Sequence, residues 1–234
     1  MQMKKNRKIK NKISLINAFK HNLRFGKIAE NVKTELTYKN EYYFGKYNGD
    51  LNYEDFSNFV KNIYYEKVEK FLTKKIRKNA VLATELIFSA PKEYLEKGIN
   101  YAKWKDAIMY FIKNNFPTFP ILNAAIHNDE TTPHFHVLLA PIEKTENTFK
   151  LNSRKFFSPK ILQQLHTNLE KETRAVGLDL SRGKRKIRAK AQDIKDFYAD
   201  LNIAKENYEN EIKNFEYISF EDFILQAKKH KLED

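Results

Sequence analysis

The chain has 234 residues, 41% of them hydrophobic, which is enough for one sizeable core with helical appendages and so for one catalytic domain. A formal charge of +13 makes a polyanion the natural partner, and nucleic acid gains affinity by releasing counterions from its phosphates, although a solvated Lys-rich surface carries the same charge. The absence of cysteine excludes disulfides, thiolate zinc sites and a cysteine nucleophile and fits the cytosol. No apolar run approaches the roughly 20 residues of a membrane span, so a soluble, unprocessed cytoplasmic protein is expected.

Residues 1 to 12 form a Lys/Asn/Arg-rich arm, expected to fray in solution or to lie along a phosphate backbone. Ser14 precedes a short helical pattern that carries His21 and Arg24 on nearby turns. Residues 25 to 52, with Gly26, Gly45 and Gly49, read as a loop with one strand, Glu41 to Phe44. From Tyr53, Phe56, Phe59, Val60, Ile63, Tyr64, Val68, Phe71 and Leu72 recur at helical spacing. Val81 to Phe88 is short and apolar, bounded by charges and Pro91, and reads as a buried strand. A second helix shows its inner face at Trp104, Ala107, Ile108, Phe111 and Ile112 and ends at Pro117 and Pro120.

Two strands then flank a tight polar turn between residues 121 and 142. Ser158 and Pro159 suit the cap and first position of a helix through Leu165, Leu169 and Val176, closed by Gly177. A basic linker follows, and Ile194, Phe197, Leu201, Ala204, Tyr208, Ile212 and Phe215 mark a last helix expected to pack on its own domain rather than on a partner.

Three of the six histidines fall within ten residues, at His127, His134 and His136. Side chains at i and i+2 of a strand share a face, so His134 and His136 point one way, and an antiparallel neighbour brings His127 to the same point. Three neutral imidazoles suit a divalent transition metal and leave positions open for substrate, the pattern of a catalytic site; a hairpin with hydrogen-bonded histidines is the bland alternative. Glu130 is a fourth ligand, a partner that orients an imidazole, or a turn carboxylate, with the second favoured. His21, read alone in a basic amphipathic helix, is a solvated residue.

Taken together, His21 with Arg24 (HxxR) and His127, Asp129, Glu130, Pro133, His134 and His136 (HxDE, then PHxH) resemble the MobV (Mob/Pre) family of plasmid mobilisation relaxases, within the HUH endonucleases. The likeness runs from about Ala18 to about Arg188, and the segment Lys75 to Val81 looks like the basic step into the family's second sheet strand. The family's NYEL motif is not met as such: Asn40-Glu41-Tyr42-Tyr43 stands nearest its place, while Asn52-Tyr53-Glu54 opens the next helix. Members of the family commonly carry a long C-terminal extension, which is expected to be short or absent here.

The resemblance implies that His21 attacks the scissile phosphate and becomes joined to the 5′ end, freeing a 3′ hydroxyl. A neutral imidazole is nucleophilic near pH 7 without further activation. It further implies a divalent metal, manganese or alternatively magnesium, at His127, His134 and His136, with Glu130 among the catalytic groups. Arg24 is expected to clamp phosphate oxygens, as is Arg77, and Lys20, Arg154 and Arg182 are the other expected DNA contacts.

The expected fold is α/β (α+β), an antiparallel sheet of about five strands with helices mainly on one face and the active site on the open face. Residues 1–188 form the catalytic domain and 189–234 a helical extension. The expected function is metal-dependent nicking and rejoining of one strand of single-stranded or hairpin DNA at a plasmid origin of transfer, for mobilisation or recombination. A coupling protein and a homodimer are the other partners the resemblance suggests. The alternatives are a rolling-circle replication initiator acting through Tyr42, Tyr43 or Tyr47, a non-catalytic DNA-binding relaxase remnant, and, weakest, a structural zinc module.

Overall fold

A computed structural model describes residues 2–45 and 52–180. In chain order the elements are β1 (Gln2–Ile9), α1 (Lys12–Asn22), β2 (Glu41–Phe44), α2 (Tyr53–Lys67), β3 (Ala83–Ser89), α3 (Lys92–Leu95), α4 (Gly98–Asn115), β4 (Ile121–His127), β5 (His134–Leu139), β6 (Ile142–Thr145), β7 (Thr148–Leu151), α5 (Ser153–Phe156) and α6 (Pro159–Ala175). Arg182, Tyr47 and the helix expected beyond residue 189 lie outside the described residues.

Five strands form one antiparallel sheet in the order β1-β3-β5-β4-β2, and β6 and β7 form a separate hairpin. Pleating sends Leu86, Phe88, Phe135, Val137, Leu139, Ala124 and Ile126 to one face, where they pack with Trp104, Ile108 and Phe111 of α4 and Leu165 and Leu169 of α6. Leu122, Leu138 and Ala83 join a second core with Leu15 and Phe19 of α1 and Phe56, Val60 and Tyr64 of α2. Strands covered on both sides read as continuous apolar runs, which is why VLATELIF and ILNAAIH show little alternation.

The two longest helices, α4 and α6, share a face as expected. The opposite face, expected to be open, carries α1 and α2 at the end where Leu122, Leu138 and Ala83 lie. The other end of that face holds His127 and His134, which are cross-strand partners.

The N-terminal segment is the clearest departure from expectation, because residues 2 to 9 are an edge strand on β3 rather than a free arm. Between Lys5 and Lys8 the register slips: Lys5 pairs with Leu86 but Lys8 with Thr84. One extra residue on β1 turns the chain over, so Met3 joins the α4 core and Ile9 the α1/α2 core. The bulge erases the two-residue alternation that would have marked a strand.

Asn11, not Ser14, caps α1, its side chain accepting from the Ser14 amide at 2.7 Å. The apolar spacing from Tyr53 runs on past Lys67, yet α2 stops there and a 3-10 turn, Glu69–Phe71, follows. Ser158 caps α6 as expected, and Gly177 leaves it at φ 75°. The β6–β7 hairpin went unread because Ile142 and Leu151 are its only buried apolar residues.

Deleting residues 1–9 removes the burial of Met3 and Ile9, each about 1.5–3 kcal/mol, and bares the edge of β3. The truncated protein is expected to lose at least about 3 kcal/mol of stability, read from urea unfolding followed by circular dichroism. An unchanged midpoint would return the segment to a solvated arm.

Candidate active site

Strand register places His127, His134 and His136 on one face: His127 pairs with His134, and Ala125 with His136. Their ring centroids lie 4.6 Å (His127–His136), 4.8 Å (His134–His136) and 5.2 Å (His127–His134) apart. The last turn of α1 brings in His21, with its ring 5.3 Å from that of His127 and 5.0 Å from that of His136. The residue that the metal motif does not contain therefore sits against it.

Each strand histidine has one nitrogen engaged by an oxygen acceptor, and this fixes which nitrogen keeps a lone pair. His127 donates from Nε2 to the Asn22 carbonyl at 3.0 Å, His134 from Nδ1 to the Thr132 carbonyl at 2.8 Å, and His136 from Nδ1 to Glu85 at 3.1 Å. Among the described residues, the buried nitrogens His127 Nδ1 and His136 Nε2 are then left without a hydrogen-bond partner. Two aimed lone pairs with nothing to accept are what a cation site requires, since a buried polar atom is otherwise satisfied. Ligand atoms of His21, His127 and His136 lie within 4.8 Å of one another, as do those of His127, Glu130 and His134.

Glu85 escaped the sequence reading. It is fully buried on β3, and the available signal was a carboxylate inside the apolar run VLATELIF. Asn22 escaped as well; besides its carbonyl contact it donates from Nδ2 to Asn123 Oδ1 at 2.8 Å, tying α1 to β4.

The sequence reading has Arg24 on a phosphate, whereas the structure turns its guanidinium onto protein carboxylates. Arg24 donates to Asp129 at 3.0 Å from Nε and 2.6 Å from Nη2, and to Glu130 at 2.7 Å. The cause is local: Arg24 leaves α1 at φ 54°, its amide bonding to the His21 carbonyl and that of Phe25 to the Lys20 carbonyl. That is the pattern of a Schellman ending, with arginine where glycine is usual. Glu130 sits at the rim, 3.8 Å from His134 Nε2 and 4.0 Å from His127 Nδ1, with Asn31 on its other oxygen at 2.9 Å.

Electrostatics favour the neutral form of His21, His127 and His134. Burial, with the neighbouring His136 and Arg24, lowers His21 to about 4. Burial first, then His136, lowers His127 and His134 as well. Burial works against the charge of Arg24, but its bonds to Asp129 and Glu130 prevail and raise it.

Of the expected DNA contacts, Lys20 stands in the cavity wall beside His21. Arg77 and Arg154 lie elsewhere, with Lys8, Lys74, Lys75 and Lys150, around a groove of about 990 Å³ that has no acidic residue in its lining among the described residues. It adjoins the start of β3, about 20 Å along that strand from the level of His134. Tyr42 pairs with Ala125 and so shares the histidine face, whereas Tyr43 packs on Phe135 at 5.4 Å on the other.

The fold that carries this histidine cluster is shared with solved relaxase domains. The Mn-bound MobM relaxase domain (MOBV) with plasmid pMV158 oriT DNA aligns with a TM-score of 0.62 at 26% identity, over 86% of this chain and 97% of that one. A second Mn-bound MobM complex gives 0.60 at 26%, over 85% and 97%. Among curated proteins, a plasmid recombination enzyme of Streptococcus agalactiae is 30% identical across 67% of this chain and 33% of its own length, and one of Bacillus thuringiensis 28% identical across 70% and 35%. The family model Mob_Pre, plasmid recombination enzyme, matches residues 1–199, and the chain belongs to that family. It spans about a third of the length of these curated relatives.

Because His21, His127 and His134 titrate lower in the folded chain than the ordinary value near 6.5, the unfolded chain binds more protons below that pH. Stability of the metal-free protein is therefore present above about 6.5 and is lost as pH falls toward 4, by at most about 1.4 kcal/mol per pH unit for each proton. Urea titrations in EDTA at pH 7.5, 6, 5 and 4.5 check this. A flat midpoint would show that these imidazoles are not held neutral.

Proposed function

We propose that this domain is a relaxase that nicks and rejoins one DNA strand at a plasmid origin of transfer, with His21 as nucleophile. The observation that carries the reading is the packing of the His21 ring, 5.0–5.3 Å away, against strand imidazoles with unpartnered nitrogens. The Mn-bound, oriT-bound MobM domain supports it by similarity.

The residues that would hold a divalent metal, manganese by preference, are His127, His134 and His136. Such an ion supplies Lewis acidity at the scissile phosphate and balances charge gathered there in the transition state. Neutral His21 attacks phosphorus, a P–N bond forms to the 5′ side, and the 3′ oxygen leaves and is protonated. The link conserves the phosphoester energy, so attack by a 3′ hydroxyl reverses the step and rejoins the strand. Glu85 and the Asn22 carbonyl hold the His136 and His127 rings in the tautomers that aim their lone pairs inward. Arg24 acts through Glu130 and Asp129, fixing the rim of the site. Lys20 at the site, and Arg77 and Arg154 in the basic groove, neutralise phosphates along the bound strand.

A second reading comes from the closeness of His21 ligand atoms to those of His127 and His136, within 4.8 Å, which also suits His21 as a metal ligand. The two readings part on His21→Ala. With His21 as nucleophile, the variant binds manganese and oligonucleotide nearly as wild type but forms no covalent adduct on a denaturing gel. As a ligand, its loss weakens manganese binding tenfold or more in calorimetry. His134→Ala and His136→Ala should weaken metal binding and abolish nicking either way. An acid-stable adduct in His21→Ala would move the nucleophile to a tyrosine, Tyr42 first.

The basic groove has its own signature. Arg77→Glu with Arg154→Glu is expected to lower the slope of log affinity against log salt by roughly 0.7–0.9 for each phosphate that is no longer neutralised. Fluorescence anisotropy with an oligonucleotide of about 25 nucleotides measures it, and an unchanged slope would take the groove out of the DNA path.

A further inference from the structure

Beside His21 lies a cavity of about 230 Å³, walled by Asn17, Lys20, Arg24, Phe25 and Lys27. Among the described residues neither Lys20 nor Lys27 forms an ion pair, so two cations stand next to the nucleophile with no carboxylate partner. Lys20 reaches out of this wall to Tyr53 at the start of α2, its Nζ 5.1 Å from the ring centroid. Tyr53 is 54% exposed. Behind it the framework is stiff: Phe56, one turn along α2, stacks on Phe25 of the cavity wall at 3.9 Å with the rings 10° apart. Gly26, at φ 80°, sits where a side chain would meet the Lys20 stem at 3.4 Å.

An exposed aromatic ring beside a lysine ammonium is a combination that binds single-stranded nucleic acid, in which the ring takes a base and the cation takes its phosphate. We infer that Tyr53, with Lys20 and the Phe25 wall, seats one base of the single strand directly flanking the phosphate presented to His21, fixing that phosphate by stacking rather than by charge alone. The inference rests on the DNA reading proposed above and goes beyond it, since neither the metal cluster nor the basic groove involves Tyr53.

The test uses the whole chain in EDTA, so that no strand is cut, and a 12-nucleotide oligo-dT carrying one internal 2-aminopurine and a terminal fluorescein. Anisotropy reports binding, and 2-aminopurine emission reports stacking. Wild type is expected to bind and to quench the 2-aminopurine. Tyr53→Ala should lose most of the quench and about tenfold in affinity, whereas Tyr53→Phe keeps both. Lys20→Gln should keep the quench and lower the salt slope by about 0.7. Thermal melts equal to wild type keep a folding defect out of the comparison, as expected for the exposed Tyr53 and the half-buried Lys20. Binding and quenching that do not change in Tyr53→Ala overturn the base seat and leave the DNA reading standing. If wild type gives no anisotropy rise, both fall.

Discussion

The ion pair between Arg24 and Asp129 is the constraint on which the site depends. Asp129 is fully buried and takes two bonds from the guanidinium, one from Asn40 Nδ2 at 2.6 Å and one from Thr37 at 3.2 Å, while its own carbonyl accepts from the Lys33 amide at 2.7 Å. One side chain thus joins the end of α1, the loop before β2 and the turn between β4 and β5. Removing one partner of a buried pair leaves an uncompensated charge, at a cost of about 3–5 kcal/mol. That exceeds the roughly 1–2 kcal/mol of a non-glycine residue in the left-handed region, so the net balance favours arginine at φ 54° over a glycine that would relax the turn.

The same arrangement accounts for the chemistry available at the site. With α1 ended abruptly at Arg24, His21 in its last turn is held over the histidine face and the Asn22 carbonyl meets His127. Each tautomer is set from outside by an oxygen, and each free lone pair is turned inward. Burial among like groups and beside a guanidinium then keeps the His21, His127 and His134 rings neutral, the form that serves both as metal ligand and as nucleophile. The carboxylates stay at the rim or behind the rings, where they orient without filling the centre.

Two basic clusters lie toward opposite ends of the sheet. Lys20 and Lys27 line the cavity beside His21, and the larger groove by Arg77 and Arg154 lies about 20 Å away along β3. On the relaxase reading proposed above, a strand long enough to touch both would be held in register by contacts far from the bond that breaks. This gives a physical reason for the strongly basic composition beyond solubility.

Much was legible in the sequence. The i and i+2 spacing of His134 and His136 and the short polar turn back to His127 placed three imidazoles on one face, because strand alternation is a local rule. The limits of β2, β4 and α6 followed equally from local apolar pattern and caps. The family likeness of His21 and Arg24 pointed to the right segment but not to what Arg24 touches. Three features needed the tertiary structure. β1 was hidden by its bulge, which breaks the alternation that marks a strand. Glu85 gained meaning only when β3 paired with β5 and put it behind His136. Arg24 was drawn from phosphate to Asp129 by a left-handed helix end. Local periodicity decides which residues share a face; which faces then meet, and which charges they bury together, depends on contacts more than a hundred residues apart, between α1 and the β4–β5 turn.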